Sequence, residues 1–189
     1  MKPLQLLPIG NLEDGLLQDL EIAIPQCLRV PCEVLPVVLD PTSVFHGERQ
    51  QYQSSELLER MQRFVGPRCW RLLGVTGLDL YIPILTFVFG EAQLGGPCAV
   101  VSAHRLRQEF YGLPPNKELL RQRLRKEAVH ELGHTFDLTH CDDYRCAMAP
   151  SHAVEWIDLK ESTLCATCQV RASDSCCEQL MPPSKHRSL

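Results

Sequence analysis

The stretch HELGHTFDLTHCDDYRCAM, His130 to Met148, constrains this chain more than any other. It holds three histidines, a glutamate, two cysteines and a methionine, and their spacing dictates backbone shape. His130 and His134 stand four apart, so on a helix they lie one above the other on one face, with Cβ atoms about 5–6 Å apart. The preceding residues supply that helix. In NKELLRQRLRKEAVHELGHTF (116–136), Leu120, Leu124, Ala128 and Leu132 recur every four residues. Asn116 can cap its start, and Glu118 suits the positive end of its dipole. His140 follows at a spacing that a continuing helix would point elsewhere, so the helix must break and fold back. Asp137 stands where that break is expected, and Asp tolerates left-handed backbone better than most residues.

HExxH is short enough to arise by chance, and its plainest reading is two helix histidines, one packed and one solvated. The helical setting, the adjacent Glu131 and the third histidine favour a metal site instead. Three neutral imidazoles from His130, His134 and His140 would bind zinc at about 2.0–2.1 Å and leave its fourth position open, the catalytic arrangement. Glu131 lies about 100° round the helix from His130 and need not be a ligand. The expected chemistry is peptide hydrolysis: zinc lowers the pKa of its bound water to about 7, and Glu131 takes the proton and passes it to the departing amine.

Cys141 follows His140 directly, Cys146 comes after four more residues, and CATC adds Cys165 and Cys168. Four thiolates at this spacing suit a closed, structural tetrahedral zinc. Four unrelated buried cysteines, or labile disulfides, are the competing reading. If the metal reading holds, the two sites share the His140–Cys141 peptide bond, and the thiolate site clamps the loop that presents the third histidine. Cys27, Cys32, Cys69 and Cys98 read as buried apolar positions. Cys176 and Cys177 carry no signal, and His46, His104, His152 and His186 are unassigned.

The rest of the chain reads as a mixed α/β (α+β) fold, with strands first and helices gathered round one site. Strands are expected over 2–8, over 30–39 at an edge, from residue 70, and over TFVFGEAQL (86–94) and CAVVSAHRL (98–106) as a hairpin. Helices are expected over 11–24, stopped by Pro25, over 54–65, and over 157–173, with a loop over 41–53. The expected organisation is one catalytic domain over 1–172 and a loosely ordered tail over 173–189, acting as a monomer. The formal net charge of −4 gives no reason to expect nucleic acid or an acidic membrane as partner. The basic run RQRLRKE (121–127) reads as a solvated helix face. No stretch approaches a membrane span, and the N-terminal residues MKPLQLLPIGNLEDG lack the long apolar core of a secretory signal. A cytoplasmic setting is therefore expected, where clustered cysteines among the chain's ten more often hold metal than form disulfides.

HELGHTFDLTH, then CDDYRCAM, then CATC resembles the archaemetzincins, metzincin-clan zinc peptidases with the pattern HExxHxxGxxHC, four residues, CxM, a gap and CxxC. His130, Glu131, His134, His140, Cys141, Cys146, Met148, Cys165 and Cys168 fall on it. The resemblance implies a compact fold with a twisted mixed sheet, an active-site helix, a C-terminal helix and a Met-turn formed by Met148. It implies two zinc ions, one catalytic and one structural, and a peptide or protein substrate paired to an antiparallel edge strand, from either 86–94 or 98–106. The family has Gly where this chain has Asp137, so local backbone strain is expected there. The alternative function is a non-enzymatic zinc module that binds peptides or proteins; Glu131, which ligation alone does not need, favours the enzyme.

Overall fold

The computed structural model describes residues 2–180, with side chains described as far as Ser173. Its centre is a five-stranded sheet of β1 (Leu4–Ile9), β2 (Cys32–Val34), β5 (Arg71–Thr76), β7 (Gly90–Ala92) and β8 (Cys98–Ser102) in the order β2-β1-β5-β8-β7. The first four in that order run parallel, and only β7, at the edge, is antiparallel to its neighbour. LQLLPI and CAVVS are apolar almost without interruption because helices cover both faces of the sheet. Leu4, Leu6, Leu73, Val75, Ala99 and Val101 pack towards α1 (Leu16–Leu28) and α3 (Lys117–Thr135). Leu7, Ile9, Leu72 and Val100 point the other way, towards α2 (Ser54–Met61). A second, three-stranded sheet of β3 (Phe45–His46), β4 (Gln51–Gln53) and β6 (Leu80–Tyr81) lies in the order β3-β4-β6. The chain closes with α4 (Val154–Leu159) and α5 (Ala166–Leu180). No helix among the described residues is long and apolar enough to cross a membrane.

The mixed α/β class and the long helix before the histidines are as expected, and Asn116 Oδ1 accepts from Leu119 N at 3.0 Å as its cap. Four local expectations need correction. Pro25 does not end α1; it sits inside it, with Arg29 N donating to Pro25 O at 3.0 Å in the last turn. The expected loop over 41–53 contains β3 and β4. The expected helix over 157–173 is two helices, because residues 160–165 leave helical geometry to present Cys165. Helix α5 runs on to Leu180, into the segment expected to be a loose tail; 181–189, with His186, lie outside the described residues.

The basic run 121–127 is not a solvated face. Arg123 is buried, gripping Asp158 with two hydrogen bonds at 2.8 and 2.6 Å and donating to Leu106 O at 3.0 Å. Arg125 pairs with Asp19 of α1, and Lys126 donates to Ile157 O at 3.0 Å. These cations fasten α3 to α1 on one side and α4 on the other. Beyond them α3 is buried without a break from Glu127 to Gly133, so its C-terminal half lies inside the protein and carries the candidate site with it.

Candidate active site

The geometry of the histidines follows from how α3 ends. Asp137 takes φ 65°, the left-handed conformation that stops a helix. Leu138 N donates to Gly133 O at 3.1 Å and Asp137 N to His134 O at 3.0 Å, the paired bonds of a Schellman cap. Gly95 N also donates to His134 O at 2.9 Å, and Arg71 Nε to Thr135 O at 3.1 Å, so the last carbonyls are satisfied. The reversed chain brings His140 back over the helix. Ring centroids lie 4.7 Å apart for His130 and His134, 5.3 Å for His130 and His140, and 5.2 Å for His134 and His140.

Two hydrogen bonds fix the tautomers. His130 Nδ1 donates to Ala147 O and His134 Nδ1 to Leu138 O, each at 2.8 Å. A carbonyl only accepts, so both Nδ1 atoms carry hydrogen and each neutral ring presents a bare Nε2 lone pair. These two Nε2 atoms face each other at 3.1 Å. Two acceptors at that distance repel unless a cation lies between them, and one nitrogen from each of the three rings falls within 4.8 Å of the others. The donor set therefore fits a zinc ion. Burial holds all three imidazoles below their ordinary pKa, His130 most of all, which favours the neutral, ligating form.

Glu131 lines the same cleft as the three histidines and lies under the edge strand. A Cβ on Gly90 would come within 2.6 Å of Glu131 Cγ and Oε1 and of Val100 O, so this close approach requires glycine in β7. Burial pushes the Glu131 carboxyl well above its ordinary pKa, Glu127 reinforcing the shift and Lys160 opposing it. Strand β7 is held by Glu91, which accepts from Ser54 and Ser55 at the start of α2, an anion placed at a helix N-terminus.

Met148 is fully buried beneath the histidines, and a Cβ on Gly133 would overlap its Sδ. The turn it forms reaches both clusters. Ala147 O orients His130, and Met148 O accepts from Cys141 N at 3.0 Å. Cys141, Cys146, Cys165 and Cys168 converge alongside, one sulfur from each within 4.8 Å of the others. Cys141 Sγ and Cys165 Sγ lie 3.8 Å apart, and Cys165 N donates to Cys146 Sγ at 3.3 Å. The amide of Cys168 draws the Cys165 thiol below its ordinary pKa, while burial pushes the Cys146 and Cys168 thiols up, so it is the convergence of the sulfurs that points to metal. Four sulfurs that converge without being bonded as disulfides suit a closed tetrahedral zinc.

A cleft of 730 Å³ opens over the histidines, walled by residues 85–92 with Leu94 on one side and by Pro150, Ser151 and His152 on another. Its upper wall is tethered, as Arg49 donates to Leu85 O at 3.0 Å and Gln51 to Thr86 O at 2.9 Å. Of the two strand candidates, β8 is internal and only β7 offers an edge. Sequence reasoning missed Gly90, Glu127, Ser151 and His152, which line the cleft, and Lys160, which pairs with Glu127; no short motif marks them.

A family model described as Peptidase family M54 matches residues 17–173. The chain is 39% identical to an archaemetzincin of Methanocaldococcus jannaschii over 167 residues, covering 88% of this chain and 90% of that one. It is 43% identical over 129 residues to an archaemetzincin of Thermococcus kodakarensis, covering 67% and 69%. The crystal structure of archaemetzincin from Methanopyrus kandleri is similar at a TM-score of 0.78 and 31% identity, covering 93% of this chain and 96% of that one. That from Archaeoglobus fulgidus, complexed with malonate, is similar at a TM-score of 0.75 and 33% identity, covering 88% and 98%.

Proposed function

This chain belongs to peptidase family M54, the zinc metallopeptidases that include the archaemetzincins, and from that premise we propose how its clusters divide the work. His130, His134 and His140 hold a catalytic zinc, and Cys141, Cys146, Cys165 and Cys168 hold a second, structural one. The observation that carries the first assignment is the facing pair of bare Nε2 atoms at 3.1 Å, with both rings pinned by carbonyls. A zinc ion there supplies Lewis acidity to the substrate carbonyl and a lowered pKa to water.

The chain's own residues supply the rest. The free edge of β7 binds extended peptide by main-chain hydrogen bonds across the cleft. Glu131, buried beneath Gly90, takes a proton from the attacking water at a carboxylate oxygen and hands it to the leaving amine. Its raised pKa suits a group that must carry that proton between the two steps. Met148 keeps α3 and the returning loop in register, and the thiolate cluster fixes Cys141, hence His140 beside it. The substrate is peptide or protein, the working unit a monomer and the setting the cytoplasm.

Metal analysis joined to zinc X-ray absorption tests the assignment. About two zinc per chain are expected, with averaged ligation mixing nitrogen or oxygen with sulfur. Sulfur ligation alone would remove the histidine site, and nitrogen or oxygen ligation alone would remove the cysteine site. Zinc-loaded protein should also cleave members of a peptide library that the metal-free protein leaves intact.

A further inference from the structure

A lysine is almost never fully buried unless it is paired, yet the side chain of Lys160 has no exposure at all. Its Nζ lies 2.8 Å from Oε1 of Glu127, itself only 3% exposed, and donates to Ala149 O at 3.2 Å. Replacing a buried ion pair by apolar side chains of similar size is often neutral or stabilising. Stability alone is therefore a poor reason for this pair, and what the ammonium joins supplies a better one.

Glu127 stands on α3 three residues before His130, so the two side chains are neighbours on the helix surface. His130 Nδ1 donates to Ala147 O at 2.8 Å. Two residues further along the same turn, Ala149 O takes the Lys160 ammonium. Helix α3 is thus bridged to the turn around Met148 at two neighbouring points, once by an imidazole and once by the Glu127–Lys160 pair. Lys160 also begins the segment that backs this turn. Glu161 N donates to Arg145 O at 2.8 Å, and Ala147 N to Thr163 O at 3.0 Å. The ammonium is close enough to be felt by the ring: after burial, Lys160 is the next cause that holds His130 below its ordinary pKa. His134 is held differently. Its Nδ1 donates to Leu138 O, a carbonyl in the cap of α3 that none of these bonds touches.

We propose that Lys160 is a positioning residue for the histidine site: clamped between Glu127 and Ala149 O, it sets the distance between α3 and the 145–149 turn, and so keeps Ala147 O where it pins the His130 ring. It is not among the residues that line the cleft, and it acts only through the turn. The proposal rests on the zinc reading of the histidines for its purpose, but the His130 ring can be followed without turnover.

Two variants separate this role from plain support of the fold. Glu127→Leu combined with Lys160→Met removes both charges and leaves no lone buried ion, so stability should change little, but the bridge to Ala149 is gone. Glu127→Gln keeps an oxygen beside the ammonium and leaves Lys160 on Ala149 O, but the buried charge is uncompensated and the protein is destabilised. In zinc-loaded protein, proton NMR reads the Nδ1 hydrogens of His130 and His134, and chelator competition reads the zinc affinity of the histidine site. The double variant should lose the protection of the His130 proton from exchange with water, keep that of His134, and weaken histidine-bound zinc about 10–100-fold. Glu127→Gln should keep both protons protected in spite of its lower Tm. Wild-type protection and affinity in the double variant overturn the proposal. Equal loss at His130 and His134 does so too, because it marks general loosening, as does loss of the His130 proton in Glu127→Gln. Each variant decides alone should the other fail to fold. If wild type takes up no histidine-bound zinc, the metal reading fails, and the His130 proton still decides the positioning role.

Discussion

Alanine at Gly133 should harm a protein that helix propensity says it would help. Gly133 lies inside α3 between two candidate zinc ligands, and replacing a mid-helix glycine by alanine ordinarily stabilises by about 0.8–1 kcal/mol. Here the added Cβ would overlap Met148 Sδ and lie 3.1 Å from Met148 Cε and 3.5 Å from Leu138 Cδ1. Met148 is fully buried and has no solvent to move into. Overpacking of this kind costs about 1–3 kcal/mol, so the net change should be a loss of up to about 2 kcal/mol. In a chain of this length that lowers Tm by up to about 8 °C. The displaced methionine would also move Ala147 O, which orients His130, and Met148 O, which holds Cys141 N. Chelator-driven zinc release from the histidine site should then quicken about 10–100-fold, as for other losses of ligand support. Thermal unfolding and a chelator assay read both effects. A raised Tm with unchanged zinc release would refute the packing argument. Combining Gly133→Ala with Met148→Ala should cost less than the sum of the two changes, since the atoms in conflict are then gone.

Replacing Cys165 and Cys168 together by Ser should halve the zinc content and weaken the histidine site about 10–100-fold; an unaltered histidine affinity by competition titration would end the clamp idea. Asp137→Gly should change stability by no more than about 0.5 kcal/mol, because relief of left-handed strain is offset by the freer unfolded chain, whereas Asp137→Val should lose about 1–2 kcal/mol. Denaturant unfolding decides, and a well-tolerated valine would mean the φ of 65° is not what places His140. Metal-free protein should lose stability as pH falls below about 6.5, the ordinary histidine value. The three imidazoles are held below that value by burial, so the unfolded chain binds protons first and stability falls with pH. Urea midpoints that stay flat from pH 7 to about 5 would argue against buried neutral histidines.

What the sequence revealed was local, and what it hid was assembled from afar. The HExxH spacing, the Asn116 cap and the break at Asp137 are set within a few residues, and all three stand as read. The split between α4 and α5 was hidden because 157–173 has helical composition throughout, and the break at 160–165 shows its use only where Cys165 and Cys168 meet Cys141 and Cys146. Pro25 misled because packing of Leu20, Ala23 and Ile24 carries α1 past it, although its ring removes one hydrogen bond from the helix ladder. Arg123, Arg125 and Lys126 look like a solvated run until α1 and α4 supply their partners. Gly90 is the sharpest case. Nothing in FGEAQ marks it, and its necessity appears only when Glu131, 41 positions later in the sequence, is found where a Cβ would be. The Glu127–Lys160 pair is likewise a tertiary fact, since a buried lysine has no sequence signature.

The central claim is that Glu131 moves the proton in a reaction organised by the three histidines. Peptide cleavage should therefore be compared between wild type and Glu131→Gln at equal measured zinc content. The variant keeps the shape and the metal but cannot accept the proton, so its rate should fall by about 10²–10⁴-fold. Equal rates at equal zinc would contradict the account.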